Sequence, residues 1–490
     1  NVDNWTTPIT PEIYRSFSTR VVNRGETDSS TLNFTVSGDL FELPAGPLGF
    51  AGVLEGGRQS MLLRSDLRTD PLRPLDDQTV YNLVSSGQTE GSRDRYAVGA
   101  EFRIPLLSTL TANIAGRYDK YDDITQVDDA VTYQAGLEFR PFDSLLLRGS
   151  WATSFRAPDM QLVYAEGAAS YSTILDEYAC RAGVGPGSTQ GPRSRVQCNV
   201  SGDPTIYQSQ TTIAGNPMLK EEEGESFTYG FVWDIMDSMS MSVDYYRIKL
   251  EDAASQLSAS FLLENEANCR LGVYRDGTPF PNSADSAFCQ NIISLITRTV
   301  APGTGLDQRI QRINSAYINT ALSDTSGIDA TYKYSLDTDR WGDFILDLGY
   351  TLVLKDQYKQ FPDDPLIDYR DSLNNLNQRS RARGSLTWRY DDWSTTIFGT
   401  RYGSAGNWVG AAGCNTAGTC YGPRLAPYML NNFQVAKKFG DNVQASLSIL
   451  NVLDNQFRYD ASQTSWPYYY NYIGADPEGR RFYLTLEYKF

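Results

Sequence analysis

Polar and apolar positions alternate with a period of two along most of this chain. In 131–140, Val131, Tyr133, Ala135, Leu137 and Phe139 share one face, opposite Thr132, Gln134, Gly136, Glu138 and Arg140. The final segment repeats the pattern, with Phe482, Leu484, Leu486, Tyr488 and Phe490 opposite Arg481, Tyr483, Thr485, Glu487 and Lys489. Successive side chains of a strand point to opposite faces, so alternation over about ten residues predicts strands with one apolar and one polar side. About fifteen such segments follow one another: 28–41, 48–60, 93–105, 109–120, 129–141, 144–156, 223–235, 238–251, 312–336, 342–356, 379–390, 393–404, 427–439, 442–454 and 478–490. Short connections (43–49, 105–108, 141–144, 236–238, 390–393, 439–442) take turns with long ones (61–92, 157–222, 252–311, 357–378, 405–426, 455–477). Helical patterns are nearly absent.

A soluble sandwich and a membrane barrel both alternate in this way. Strands of about ten to thirteen residues exceed the usual five or six and match a tilted bilayer span. Short turns at one end with long loops at the other follow the outer-membrane pattern. Tyr96, Tyr118, Phe155, Tyr350, Trp388, Tyr390, Trp393 and Phe490 sit at strand ends, where interfacial girdles belong. The expected fold is an all-β, antiparallel transmembrane barrel. Arg103, Arg117, Glu138, Arg148, Asp347, Arg381 and Arg383 would then line its lumen.

Composition narrows the chemistry. The chain has 490 residues, no histidine and a net charge of −16. Without histidine there is no Ser-His-Asp or Cys-His nucleophile, no HExxH zinc site and no histidine proton shuttle. The acidic balance argues against nucleic acid, whose phosphates need a basic face. No apolar run reaches the roughly 18 to 20 residues of a membrane helix. Residue 1 is Asn, and the chain reads as processed or truncated. Cys180/Cys198, Cys269/Cys289 and Cys414/Cys420 fall as close pairs inside single loop-like segments. They predict three local disulfides in an oxidising compartment, zinc being the alternative.

Five segments carry a resemblance: SFRAPD (154–159), GNPMLKEEEGESFTYG (215–230), TSGIDATYKY (325–334), LSILNVLDNQF (447–457) and the terminal GRRFYLTLEYKF. Together, in this order between alternating strands, they resemble the barrel part of TonB-dependent outer-membrane receptors of Gram-negative bacteria. The resemblance implies an outer-membrane transporter, not an enzyme, without cofactor or metal. Its partners would be the TonB-ExbB-ExbD energising complex, outer-membrane lipid and a siderophore, oligosaccharide or peptide ligand. Tyr488 and Phe490 resemble a terminal assembly signal. The family's plug domain and TonB-engaging segment are not recognisable. Residues 1–27 read as an extracellular loop remnant and strand approach, and 28–490 as a partial barrel. Plugged transporters of this kind have about 22 strands. About seven strands and the plug are therefore expected from a second polypeptide, the N-terminal part of the same receptor, pairing with strands 28–41 and 478–490.

Candidate ligand contacts are aromatic. Trp466, Tyr468, Tyr469, Tyr470 and Tyr472 cluster in the last long loop, and Tyr164, Tyr171, Tyr178 and Tyr207 lie in loop 157–222. Flat rings can stack on sugars or siderophore groups, although loop packing or an interfacial girdle explains them too. Asp122, Asp123, Asp128 and Asp129 lack EF-hand spacing and read as a solvated hairpin tip. The competing reading is a secreted β-rich carbohydrate-binding or glycan-cleaving protein, although no carboxylate pair is singled out for hydrolysis.

Overall fold

The computed structural model describes residues 8–69, 80, 87–127, 129–184, 191–200, 202–300, 308–361, 366–372, 377–407, 424–455, 458–459, 470–471 and 479–490. Among these residues nineteen strands join one hydrogen-bonded sheet. Fifteen form its wall: β1 (Arg24–Leu43), β2 (Gly46–Arg64), β3 (Gln88–Leu107), β4 (Leu110–Asp122), β5 (Asp129–Phe142), β6 (Leu145–Arg156), β7 (Glu222–Met236), β8 (Met239–Gln256), β9 (Ile310–Thr338), β10 (Gly342–Lys359), β11 (Ser380–Tyr390), β12 (Trp393–Tyr402), β13 (Tyr428–Phe439), β14 (Val443–Leu450) and β15 (Arg481–Tyr488). Each pairs antiparallel with the next in chain order. Among the described residues β1 pairs only with β2, and β15 only with β14.

The predicted segments all recur, but several strands run longer than expected. β1 has 20 residues and β9 has 29. Alternation marks only the part of a strand whose two faces meet different media. Beyond that part the hairpins continue without a one-sided pattern: Arg24–Thr27 of β1 is polar on both sides, while Met61, Leu62 and Leu63 follow in a row opposite it in β2. Gly327 sits where the β9–β10 register slips. A Cβ there would lie 2.6 Å from the Leu352 carbonyl, so the bulge needs a glycine. Asn451 closes β14 with a positive φ of 50°, its amide bonded to both Asn455 N and O at 2.9 and 2.8 Å.

The wall has two unlike faces. Leu484 is 82% exposed and Leu486 73%, and Leu32, Phe34, Ile114, Val131, Tyr229, Leu348 and Ile397 share their outward side. A continuous apolar exterior of this kind suits lipid. Among the described residues no helix is long and apolar enough to cross a membrane.

The buried apolar core lies elsewhere. Ile174, Leu257, Leu262, Leu263, Ile292, Ile296, Ile310, Ile313 and Phe361 cluster together, all from long connections or the strand ends that adjoin them. Among the described residues six α-helices stand outside the wall: α1 (Pro11–Phe17), α2 (Met160–Tyr164), α3 (Glu177–Ala182), α4 (Arg195–Cys198), α5 (Ala259–Leu271) and α6 (Ala287–Ser294). α1 occupies the segment read from sequence as loop, with Thr10 accepting from Ile13 N at 3.3 Å as its N-cap.

Candidate functional site

Strand parity puts segments 157–221 and 257–309 at the same end of the wall, opposite the short turns. There they fold into one body. Ala168–Leu175 pairs antiparallel with Ile206–Ala214, which runs parallel to the first residues of β9, from Arg312 to Ala316. Ile296–Arg298 pairs on β9 as well. α5 begins at Ser258, whose hydroxyl accepts from Phe261 N at 3.1 Å, and stops at Gly272 with φ 71°. Cys269–Cys289 ties α5 to α6, and Cys180–Cys198 ties α3 to α4. These are two of the three predicted pairs; Cys414 and Cys420 lie outside the described residues.

A buried charge cluster links the two segments. Arg298 donates to Asp176 at 2.8 and 3.0 Å and to Glu266 at 2.6 and 2.8 Å. Asp176 also caps α3 by accepting from Ala179 N, and Glu266 accepts from Arg270 at 2.9 Å. Two guanidiniums thus face two carboxylates, so the burial leaves no net charge. Arg275 adds an exposed-side link, reaching Glu177 at 2.7 Å and Glu264 at 2.8 Å. Burial pushes the Glu264 carboxyl above its ordinary pKa, with Arg275 acting in the opposite direction.

The predicted tyrosines meet different fates. The Tyr207 hydroxyl donates to Asp176 at 2.8 Å and accepts from Ile310 N at 2.9 Å, with the Arg309 guanidinium 4.0 Å above the ring. Its burial pushes the phenol well above its usual pKa. Tyr178 lies between Arg270 and Arg298, at 5.2 and 5.4 Å from their guanidinium carbons. Tyr164 packs over Gly91 and donates to Ser92 O at 2.8 Å. These three are built into the loop body, and only Tyr171 of the four is open, at 63%. Trp466, Tyr468, Tyr469 and Tyr472 lie outside the described residues. The backbone of Tyr470 pairs with Tyr459 in a two-stranded ladder. Asp123 is not a solvated hairpin tip but a buried partner of Arg93.

Sequence reasoning missed another group. A cavity of about 620 Å³ opens between α5, α6 and the loop-side ends of β9 and β10. Phe261 stacks on Phe361 at 3.7 Å, while Tyr274 meets Phe280 edge to face and Phe280 meets Phe288 at a tilt of 46° across the opening. Asn265, Asn282, Asn291 and Thr320 supply polar atoms between the rings. The signal available in sequence was the run of Tyr274, Phe280 and Phe288 between Cys269 and Cys289, which a short disulfide loop must crowd together.

Inside the wall, Glu138, Arg148, Gly230, Asp244, Asp329, Thr351 and Arg381 stand opposite one another on successive strands. Arg148 reaches across β7 to Asp244, at 2.8 and 2.6 Å, over the bare backbone of Gly230. Thr351 donates to Asp329 at 2.6 Å. Arg117 bridges Asp119 at 2.8 Å and Glu55 at 3.2 Å. This face can hold water or a polar body, not lipid.

An antiparallel wall with an apolar exterior, a charged interior and an ordered loop body at one end defines an outer-membrane β-barrel. Residues 1–452 match the family described as TonB dependent receptor-like, beta-barrel, and the chain belongs to that family. It is thereby an outer-membrane protein of the Gram-negative kind, in a family of receptors and transporters, and the secreted alternative does not fit. Among solved structures it is similar to the siderophore receptor PirA from Acinetobacter baumannii, with 15% identity over 96% of this chain and 55% of that one, TM-score 0.57. It is similar to a mutant of the ferric enterobactin receptor PfeA from Pseudomonas aeruginosa, with 15% identity over 95% and 54%, TM-score 0.57. PirA from Pseudomonas aeruginosa gives 11% identity over 95% and 57%, TM-score 0.51. The chain spans about half the length of these structures. No curated protein matches.

Proposed function

We propose that this chain forms most of the wall and the outer capture surface of a receptor that imports a scarce ligand, energised through TonB. One observation carries the reading: a loop body held by cystines and buried ion pairs stands over a wall whose inner face is charged. The ligand class is a siderophore, an oligosaccharide or a peptide; the similar structures are siderophore receptors, which makes a ferric siderophore one natural probe. The edges β1 and β15 pair on one side only among the described residues. Unpaired backbone groups in hydrocarbon cost several kcal/mol each. The reading therefore includes further strands that pair with these edges, and a plug that engages TonB-ExbB-ExbD.

The test is uptake of radiolabelled ferric enterobactin and, separately, radiolabelled maltotriose, by cells with and without functional TonB. The expected result for one probe is receptor-dependent surface binding in both strains and accumulation only with TonB. Accumulation that is equal in the two strains, or no receptor-dependent binding of either probe, would overturn the reading.

A further inference from the structure

The cavity between α5 and α6 has the makings of a site that the wall does not need. Its volume of about 620 Å³ lies within the range of small-ligand pockets, roughly 300 to 1,000 Å³. Its rings are not sealed into a core: Tyr274 is 38% exposed and Phe288 39%. Its polar groups are not consumed by the fold. The side-chain amides of Asn282 and Asn291 and the Tyr274 hydroxyl make no hydrogen bond among the described residues. The Thr320 hydroxyl is buried and likewise unpartnered. Such groups stay unsatisfied unless a ligand or water meets them.

Charge decides what kind of ligand fits. The one carboxylate among the lining residues, Glu264, is held by Arg275, which Glu177 also occupies. The lining residues include no cation, so nothing there would neutralise a polyanionic ferric catecholate. Amides and hydroxyls donate and accept at neighbouring atoms, which suits the paired hydroxyls of a sugar, and the rings offer flat apolar faces to its C–H surface. The Cys269–Cys289 bond holds both helical walls, so little order must be gained on binding.

We propose that this cavity binds a neutral saccharide, with Phe280 and Phe288 against the ring face and Asn282 and Asn291 bonding its hydroxyls. The proposal rests on the reading of the loop body as the capture surface.

The experiment uses the receptor extracted from outer membranes in a sugar-free detergent. Saturation-transfer NMR is run against maltotriose, cellobiose, lactose, xylobiose, mannobiose and chitobiose up to millimolar concentration. At least one should bind. Phe280→Ala and Asn291→Ala should each weaken it tenfold or more, while Trp341→Ala, in the short turn between β9 and β10 at the opposite end of the wall, should leave it unchanged. Heat-modifiable migration on gels checks that each variant is assembled. Binding of none of the six, or equal binding by assembled cavity variants and parent, overturns the proposal. Saccharide binding without TonB-dependent accumulation would sink the transport reading alone. TonB-dependent uptake of ferric enterobactin with no saccharide bound would sink this one alone.

Discussion

Replacing Arg298 with Met tests what joins the two long loops. Both cystines are local, closing separations of 18 and 20 residues within one loop each, so neither can tie one loop to the other. The buried charged link between them is Arg298, 7% exposed, between Asp176 at 2% and Glu266 at 0%, with the Arg275–Glu177 pair beside it. Removing one partner of a buried ion pair costs about 3 to 5 kcal/mol, because the remaining charge stays desolvated. Here Glu266 keeps Arg270, and Asp176 keeps the Tyr207 hydroxyl and Ala179 N, which favours the lower end, about 3 kcal/mol. At about 1.4 kcal/mol per factor of ten, local opening should rise roughly 150-fold. Global unfolding of the wall would not register this change, since loop bodies open on their own. Hydrogen exchange does register it: amides of α3 and α5 should lose protection, while those of β13 and β14 do not. Adding Asp176→Asn and Glu266→Gln to Arg298→Met should recover part of the loss by removing the stranded charges. Protection in α3 and α5 within about a factor of two of the parent would refute the reasoning.

Further outcomes follow from other parts of the molecule. Leu486→Arg should cost about 2 to 4 kcal/mol if near the bilayer midplane, and Thr485→Arg little, in folding titrations into vesicles; equal tolerance would mean the lipid face is misassigned. Gly230→Ala sets a Cβ against the Val243 carbonyl and the Asp244 carboxylate, and should cost about 1 to 3 kcal/mol in the same assay. The Arg193 guanidinium holds the Asp203 carboxyl at about 2, below the usual 3.8. A depressed carboxylate stabilises the fold above its unfolded pKa and loses that contribution as pH falls through its folded one. Exchange protection around 193–206 should therefore drop between about pH 4 and pH 2, and Asp203→Asn should abolish that pH dependence. Non-reducing peptide mapping should find Cys414 joined to Cys420.

The wall was legible because lipid and lumen impose opposite polarity on alternate residues, and every predicted segment overlaps one of β1 to β15. The loop body was not. α5 hides its helical nature because Glu266, at 0% exposure, places a charge on the buried side beside Leu262 and Leu263. Its partner, Arg298, stands 32 residues further on. Local pattern cannot supply such a pairing. The different placements of the tyrosines were hidden for a related reason. Tyr207 and Tyr171 look alike in a Gly- and Ser-rich loop, yet one is fixed by Asp176 and Ile310 while the other is open. The cystine pairs were readable because their spacing is itself local.

β9 belongs to two bodies at once. Its first residues pair with Ile206–Ala214 in the loop sheet, and from Tyr317 onward it pairs with β8 in the wall. At roughly 3.3 Å per residue, its 29 residues extend on the order of 95 Å, several times the span of about 30 Å that a bilayer core requires. No turn separates the two parts, so β9 itself offers no hinge about which the loop sheet could swing as a lid. A ligand arriving here should meet a surface that rearranges little on binding. Its capture should be limited by collision and orientation, with association rates unaffected by solvent viscosity beyond the diffusive encounter itself.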